Sequence, residues 1–550
     1  MPPRATHQPM RRQTRQIKIL LLAAASAAVL FAASHRSASA QTEGGLSPEE
    51  RRGKLIYHRG EDGAGRGDIK AVLGGDGLEL PGASFTCANC HGPRGEGRQE
   101  GGLQPPAINW EALTSRHVSP LTRRERPPYT EATLARALHA GLDSAGSPLH
   151  PGMPRYQMSA EQTSDLVAYL KRIGGAADAE PGVTDTALKV GAALPLSGPL
   201  ARVGEGVRAA LVAYFAEVNA GGGVYGRRFE LVVEDSAGEA AKTVEATRKL
   251  VETDGVFALV ASFEPRASAP TNEYVSRREV PLVGPTTLSP RLALPPNPYV
   301  FYLLPTFADQ ARALADFAAA KAAGQPQGAR LAVVYAAGEF DADALAGLRA
   351  QAKLRSLPLV AERPYDPAKF AAADVARELA AKKATHVFFF GGGESFAALA
   401  RAMDEARLDA ALLSSITMVG RGAFDLPPAV AARTYLAYPA ALPSAEDFAE
   451  FESVMQKGGV EMRSPAFQAV AFAAAKTLVE ATKLCGRQVD RASLVGALES
   501  LHDFRTGVVP PLTFGPNRRV GAVGSYVVGI DLAKKEYTPL GDWLVPADRP

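Results

Sequence analysis

Cys87-Ala88-Asn89-Cys90-His91 is the stretch on which the reading of this chain turns. Two cysteines two residues apart, followed at once by histidine, form the attachment signature of c-type haem. Each thiol can form a thioether to a haem vinyl group, and the spacing sets the sulfurs roughly one helical turn apart on one face. His91 is then in place to put an imidazole nitrogen on the iron. Other uses of paired cysteines fit less well. A structural zinc site needs two more thiol or imidazole ligands at short spacing, and the only other cysteine is Cys485. A redox dithiol follows a hydrophobic strand in an αβ unit, and Pro81-Gly82-Ala83-Ser84-Phe85 is no such strand. One covalent haem c is therefore expected on Cys87 and Cys90, with His91 as an axial ligand.

Upstream of the motif, Ser47-Pro48-Glu49-Glu50 opens a helix with a capping serine, proline at the first helical position and a glutamate that completes a capping box. Ser159-Ala160-Glu161-Gln162 opens another in the same way, with an apolar stripe of Leu166, Val167, Tyr169, Leu170 and Ile173. Two helices flanking the haem motif resemble the crossed terminal helices of class I cytochromes c, so a mainly α domain is expected over residues 45–175. Gly53 either permits close approach at that crossing or is a tolerated helix glycine. The resemblance also implies a second axial ligand. Gly152-Met153-Pro154-Arg155-Tyr156 matches the family's Met-Pro-x-aromatic run before the last helix, which puts the Met153 thioether on the iron opposite His91. Met158, His139 and His150 are competitors. In the family a proline carbonyl downstream of the motif orients the ligating histidine, and Pro105 and Pro106 are both candidates. A glycine-rich insert, Glu61 to Pro81, is a departure from the simplest family pattern and is expected either to cover the haem edge or dock a partner, or to be a loop with no role.

At 550 residues the chain is too long for one core. Residues 1–40 carry six basic residues (Arg4, Arg11, Arg12, Arg15, Lys18, Arg36) and no acidic ones, then an apolar run from Ile19 to Ala33 and the small-residue site Ala38-Ser39-Ala40. This is the pattern of a cleaved secretory signal, and the apolar run is shorter than the roughly 20 residues a spanning helix needs. Without this segment 55 basic residues face 58 acidic ones, so the formal charge of +3 becomes −3. No nucleic-acid partner is indicated. A periplasmic location is expected, because c-type haem is attached outside the cytoplasmic membrane. With Cys87 and Cys90 used, Cys485 stands alone and no disulfide framework is implied. Residues 176–186 read as a linker by their glycine, alanine and proline content.

Beyond the linker the pattern becomes short apolar runs alternating with amphipathic helices. Strands are expected at Leu188–Leu194, Phe229–Glu234, Val256–Val260, Pro281–Val283, Leu331–Tyr335, Thr385–Phe390 and Leu412–Val419. Helices are expected at Gly204–Asn219, Ala240–Thr253 and from Ala267. Such βα repetition builds parallel sheets, and the length suits two lobes.

Several runs here carry a second resemblance: Val190-Gly191-Ala192-Ala193-Leu194-Pro195-Leu196-Ser197-Gly198-Pro199, Asn219 through Arg227, Glu234-Asp235, Asn297-Pro298-Tyr299-Val300-Phe301 and Leu512-Thr513-Phe514-Gly515-Pro516-Asn517. Taken in order they resemble the type I periplasmic binding proteins of ABC importers, the branched-chain amino-acid family, over residues 187–550. The resemblance implies two α/β lobes joined by three crossings, with a ligand in the cleft that closes around it.

The residues that clamp an amino acid in that family are largely replaced. Pro265 stands where the serine of the loop after the third strand falls, and proline removes both hydroxyl and N–H. Leu288 follows Thr286-Thr287 in the threonine place, Val203 takes an aromatic position, Gly391-Gly392-Gly393-Glu394 lacks the second-lobe tyrosine, and Phe340-Asp341 stands near another tyrosine position. Each lost partner to a buried charged group costs about 1–3 kcal/mol. The expected ligand is therefore a small molecule other than an α-amino acid, with Arg202, Ser262, Glu264, Thr286, Thr287 and Glu394 as candidate contacts. The expectation for the whole is a mono-haem electron-transfer protein fused to a receptor module and not an enzyme. Importer solute binding with an accessory or sensory haem, and docking to a periplasmic dehydrogenase, are the alternatives. The corresponding partners are a redox protein and, in the importer case, an ABC permease.

Overall fold

A computed structural model describes residues 46–73, 77–97, 105–118, 125–264, 268–287, 290, 295–324, 328–336, 338–440 and 448–547. The expected signal segment, and the loop positions Pro265, Arg266, Ala267 and Leu288, lie outside them. The chain divides into two compact units, one ending at Ala179 and the other running from Glu180.

In the smaller unit, helix Pro48–Arg59 starts where the sequence places it. The Ser47 hydroxyl accepts from the Glu50 N–H, the Glu50 carboxylate accepts from the Ser47 N–H, and Gly60 ends the helix at φ 65°. Helix Ala160–Leu170 has the same reciprocal cap from Ser159 and Gln162. The two helices cross at Gly53, where a Cβ would lie 2.0 Å from the Asp165 carbonyl oxygen. That distance forbids any side chain, so Gly53 serves close approach. Tyr57 and Tyr169 meet edge to face beside the crossing, with ring centroids 5.6 Å apart. Arg52 and Arg66 both donate to the Asp165 carboxylate, at 2.8 and 2.6 Å.

The glycine-rich insert is not a plain loop. Strands β1 (Lys70–Leu73) and β2 (Leu78–Pro81) pair antiparallel, and β1 also pairs antiparallel with a strand from the far end of the unit. A two-residue ribbon, β3 (His117–Val118) with β4 (Glu125–Arg126), comes between them in sequence. The partner of β1 is β5 (Arg155–Gln157), in the register Lys70↔Gln157, Ala71↔Tyr156, Val72↔Arg155. Ile69 and Ala71 are buried under this sheet. The insert thus pins the backbone that immediately follows Met153-Pro154.

The segment expected as a linker is largely anchored. Asp178 accepts from the Tyr169 hydroxyl at 3.1 Å and from the Gly174 N–H at 3.0 Å, and pairs with Lys54 at 3.2 Å. On the other side of the boundary, Lys189 N–H donates to the Gly182 carbonyl at 2.7 Å.

The larger unit holds two sheets. Strands β6 (Ala187–Leu194), β7 (Arg228–Asp235), β8 (Ala258–Val260), β9 (Leu282–Val283) and β10 (Val300–Phe301) form the first, in the order β10-β9-β8-β6-β7 and all parallel. Strands β11 (Leu331–Ala336), β12 (Leu359–Tyr365), β13 (His386–Phe390), β14 (Ala411–Ser415), β15 (Thr434–Tyr438), β16 (Tyr526–Asp531) and β17 (Glu536–Pro539) form the second, in the order β12-β11-β13-β14-β15-β16-β17. Its first five strands in that order are parallel, and β16 and β17 add antiparallel. The run expected as one strand over Leu412–Val419 is in fact β14 followed by a helical turn, Ile416–Val419, because the Ser415 hydroxyl accepts from the Thr417 N–H and starts the turn.

The chain crosses between lobes three times. After β10 it enters helix Phe307–Lys321, whose Phe307 and Leu314 pack with Leu331 and Val333 of the second sheet. After β15 it returns, and Phe451, Phe472 and Leu494 pack with Leu188, Val207 and Val260 of the first lobe. After Ala522 it goes back to supply β16 and β17.

Candidate functional site

The haem motif forms a short helix of its own, Cys87–His91. Cys87 and His91 are buried, and Cys90 is exposed. The His91 Nδ1–H donates to the Pro106 carbonyl at 2.8 Å, which selects Pro106 over Pro105 and leaves the Nε2 lone pair for a metal. Burial lowers the His91 pKa and so favours the neutral, ligating form. The same burial pushes the Cys87 thiol up to about 12. Because the thiolate is the reactive species, Cys87 is poor at bonding once folded, which suits attachment to an unfolded chain.

Around this turn one apolar cluster contains Cys87, Ala88, Tyr57, Tyr156, Leu134, Leu138 and Leu166, with Met153 and Met158 packed against it half-buried. Met153 closes a turn in which its N–H donates to the His150 carbonyl at 2.9 Å, and Pro154 and β5 follow directly. The Tyr156 hydroxyl donates to the Phe85 carbonyl at 2.8 Å, which ties β5 to the segment entering the haem motif. The competing histidines have other partners. His139 engages the Tyr156 carbonyl and the Thr163 hydroxyl, both at 2.9 Å, and exposed His150 accepts from the Gly152 N–H. The donor set fits a c-type haem: two thiols one turn apart, a neutral imidazole oriented from behind, and a thioether on a pinned loop. When bound, haem supplies a one-electron iron couple. The chain's own residues orient the imidazole, exclude water and hold the Met153 loop. Among the described residues no group of three or more His, Cys, Asp or Glu forms a separate metal cluster.

In the larger unit, ligands of parallel sheets bind at the carboxyl ends of strands. Arg202 and Glu394 are exposed in the first turns of helices Ala201–Ala220 and Gly393–Glu405. The Ser262 hydroxyl is committed to the fold, accepting from the Ala193 N–H at 3.2 Å. Glu264 and Thr286 lie side by side, the Glu264 N–H donating to the Thr286 carbonyl at 2.8 Å, and Thr287 follows half-buried. Glu264 is 0 % exposed, and burial pushes its carboxyl up to about 8. On the second lobe Asp341 is pushed up to about 6 by burial, and its carboxylate accepts from the N–H groups of its own helix start. Tyr365 ends β12 with its hydroxyl over Gly391, where a Cβ would lie 2.0 Å from it. Sequence reasoning missed Tyr365 and, in the first lobe, Thr271, Asn272 and Tyr302. The available signal for Tyr365 was an aromatic residue directly before the turn-forming Asp366-Pro367.

A haem-binding turn in a helical unit and a two-lobed sheet pair with three crossings define a binding protein that carries a c-type cytochrome. Comparison with known families agrees. The periplasmic binding protein family profile matches residues 187–536 and the cytochrome c profile matches residues 83–174. The chain belongs to the periplasmic binding protein family, with a cytochrome c domain ahead of it. Among curated proteins it is 29% identical over 151 residues to a Leu/Ile/Val-binding protein homolog 3 of Brucella melitensis, covering 28% of this chain and 39% of the relative. It is 31% identical over 109 residues to a Leu/Ile/Val-binding protein homolog 2 of Brucella abortus, covering 20% of this chain and 29% of the relative. The match therefore spans less than half the length of either. Among solved structures it resembles a fatty acid ABC transporter substrate-binding protein from Thermomonospora curvata, with TM-score 0.52 and 21% identity over 67% of this chain and 95% of the other. It also resembles a branched chain amino acid ABC transporter from Thermus thermophilus with bound valine, with TM-score 0.52 and 17% identity over 66% and 98%. These likenesses establish the shared fold. No described helix is long and apolar enough to cross a membrane.

Proposed function

We propose that the protein is an exported, periplasmic mono-haem electron carrier whose larger unit is a receptor for a small molecule other than an α-amino acid. The observation that carries the electron-transfer part is the His91–Pro106 hydrogen bond, 2.8 Å long, on the same cluster that receives the pinned Met153 loop. A haem iron held by both His91 and Met153 would have no position left for oxygen or peroxide, and a methionine ligand would raise its reduction potential relative to two nitrogen ligands. Cys87 and Cys90 hold the haem covalently.

Met153→Ala is expected to abolish the sulfur–iron absorption band of the oxidised protein and to lower the potential. If Met158→Ala does this and Met153→Ala does not, the axial assignment is wrong.

For the receptor part, the replaced clamp carries the reading: Pro265, Leu288 and Val203 stand where the amino-acid family places groups that hold its ligand. Calorimetric titration of the purified holoprotein with leucine should show no saturable heat at micromolar concentrations, and tight binding of leucine would sink this part. The contacts proposed for the cleft are Arg202, Thr286, Thr287 and Glu394, joined by Tyr365. A second role, as solute-binding component of an importer with an accessory haem, is favoured by the ABC-transporter relatives. Its test is ligand-stimulated ATP hydrolysis by a reconstituted permease. Reduction of the haem by a periplasmic dehydrogenase without ligand would instead favour the electron-carrier role alone.

A further inference from the structure

We propose that the first lobe contains a buried site for a small monovalent cation, an alkali ion or an ammonium group, built from Glu264, Thr271, Asn272 and Tyr302. Glu264 comes just after β8, and both of its carboxylate oxygens are buried without a hydrogen-bond partner among the described residues. Thr271 and Asn272 lie on helix Ser268–Arg278, which follows in sequence. The Thr271 hydroxyl and the Asn272 side-chain carbonyl are likewise buried and unpartnered. The Asn272 side-chain N–H donates to the Tyr302 hydroxyl at 2.6 Å, which brings Tyr302, just past β10, to the same place. Burial raises the Tyr302 pKa, and the Glu264 charge adds to it, so Glu264 lies near Tyr302. Beside Glu264 the Thr286 hydroxyl is a further buried atom with no partner among the described residues.

The Thr271 and Tyr302 hydroxyls can each donate one hydrogen bond, whereas an ionised carboxylate and an amide carbonyl can only accept, so the set holds three acceptor-only oxygens. The Tyr302 hydroxyl already accepts from Asn272. A buried polar atom without a partner is costly, and native structures hold few of them. A buried carboxylate without a counter-charge is more costly still. No positively charged described residue contributes to the Glu264 pKa, which burial alone raises to about 8. An occupant that brings a positive charge, and either N–H donors or a preference for oxygen, resolves both deficits together. One carboxylate among neutral oxygens suits a single charge, and no described group of three acidic, His or Cys residues is available for a divalent ion. The site goes beyond the receptor reading and does not depend on which ligand the cleft takes.

The test is a calorimetric melt of the haem-loaded full chain at pH 8, following the transition that leaves the haem absorption unchanged. Equal ionic strengths of ammonium, potassium, methylammonium and choline chloride are compared. Choline is too large and has no N–H to donate, so it sets the baseline. Ammonium or potassium should raise the midpoint by about 3 °C or more, and Glu264→Gln should remove the gain. Methylammonium acting as well as ammonium identifies the head of an organic amine as an accepted occupant. A gain confined to ammonium and potassium identifies a free ion. Thr271→Val, which keeps the carboxylate and removes one oxygen, should require a several-fold higher cation concentration for the same midpoint. Identical midpoints in all four salts, or a gain that survives Glu264→Gln, would overturn the proposal and leave Glu264 a neutral acid among waters.

Discussion

With choline as the only added cation, the receptor unit is expected to lose of the order of 4–5 kcal/mol of stability between pH 4.5 and about 8, through Glu264 alone. The sign follows from proton counting. The unfolded carboxyl releases its proton near 4.5, while the folded one keeps it until about 8. Across that window the native state binds one more proton than the unfolded chain, so raising the pH favours unfolding by about 1.4 kcal/mol per unit. Below the window both states are protonated and the full stability is present. Burial is the sole cause of the shift, and among described residues Tyr302 is the titratable group whose own titration its charge affects. Asp341 and Asp343 are also raised by burial and slope the same way. The quantity to measure is therefore the difference between wild type and Glu264→Gln in urea unfolding at a series of pH values. Glutamine is expected to be the more stable above pH 7, and the difference should vanish near pH 4.5. A difference independent of pH would show that Glu264 is ionised in the fold throughout. Ammonium should flatten the wild-type curve as well, because a bound cation lowers the carboxyl pKa.

Gly53→Ala is expected to destabilise the haem unit by roughly 2–3 kcal/mol. Elsewhere in a helix the change would be favourable by up to about 1 kcal/mol. Here the new Cβ would sit 2.0 Å from the Asp165 carbonyl oxygen and 2.7 Å from the Tyr169 Cβ. Backbone cannot yield as a flexible side chain can, so the helices must separate. Separation loosens the Tyr57–Tyr169 contact and the Arg52 and Arg66 bonds to Asp165 together. Thermal unfolding followed by the haem absorption measures it, and an unchanged midpoint would refute the tight crossing.

Local signals carried much of what was legible in the sequence. The capping boxes at Ser47 and Ser159, and most strand runs of the larger unit, depend on neighbours within a few residues, and they lie where the sequence puts them. What was hidden is non-local. Lys70–Leu73 looked like part of a glycine-rich loop because its strand partner, Arg155–Gln157, is far along the chain. Glu264 was legible as a residue type, but its complete burial and its closeness to Tyr302, which comes from another strand, are set by the fold. The break at Ser415 is hidden because apolar residues resume at Ile416 beyond Ser414-Ser415, while the cap that turns the backbone is a single hydroxyl.

The three crossings set an order of completion. Residues 448–522 finish the first lobe, and β16 and β17 then finish the second sheet. Neither lobe is whole until nearly the entire chain is available, so the receptor unit cannot fold from the front as its N-terminal part emerges. During synthesis this keeps the larger unit open until late, while the haem unit, whose elements all precede Ala179, is complete much earlier. Losing the last hundred residues would therefore leave two unfinished halves instead of one intact lobe.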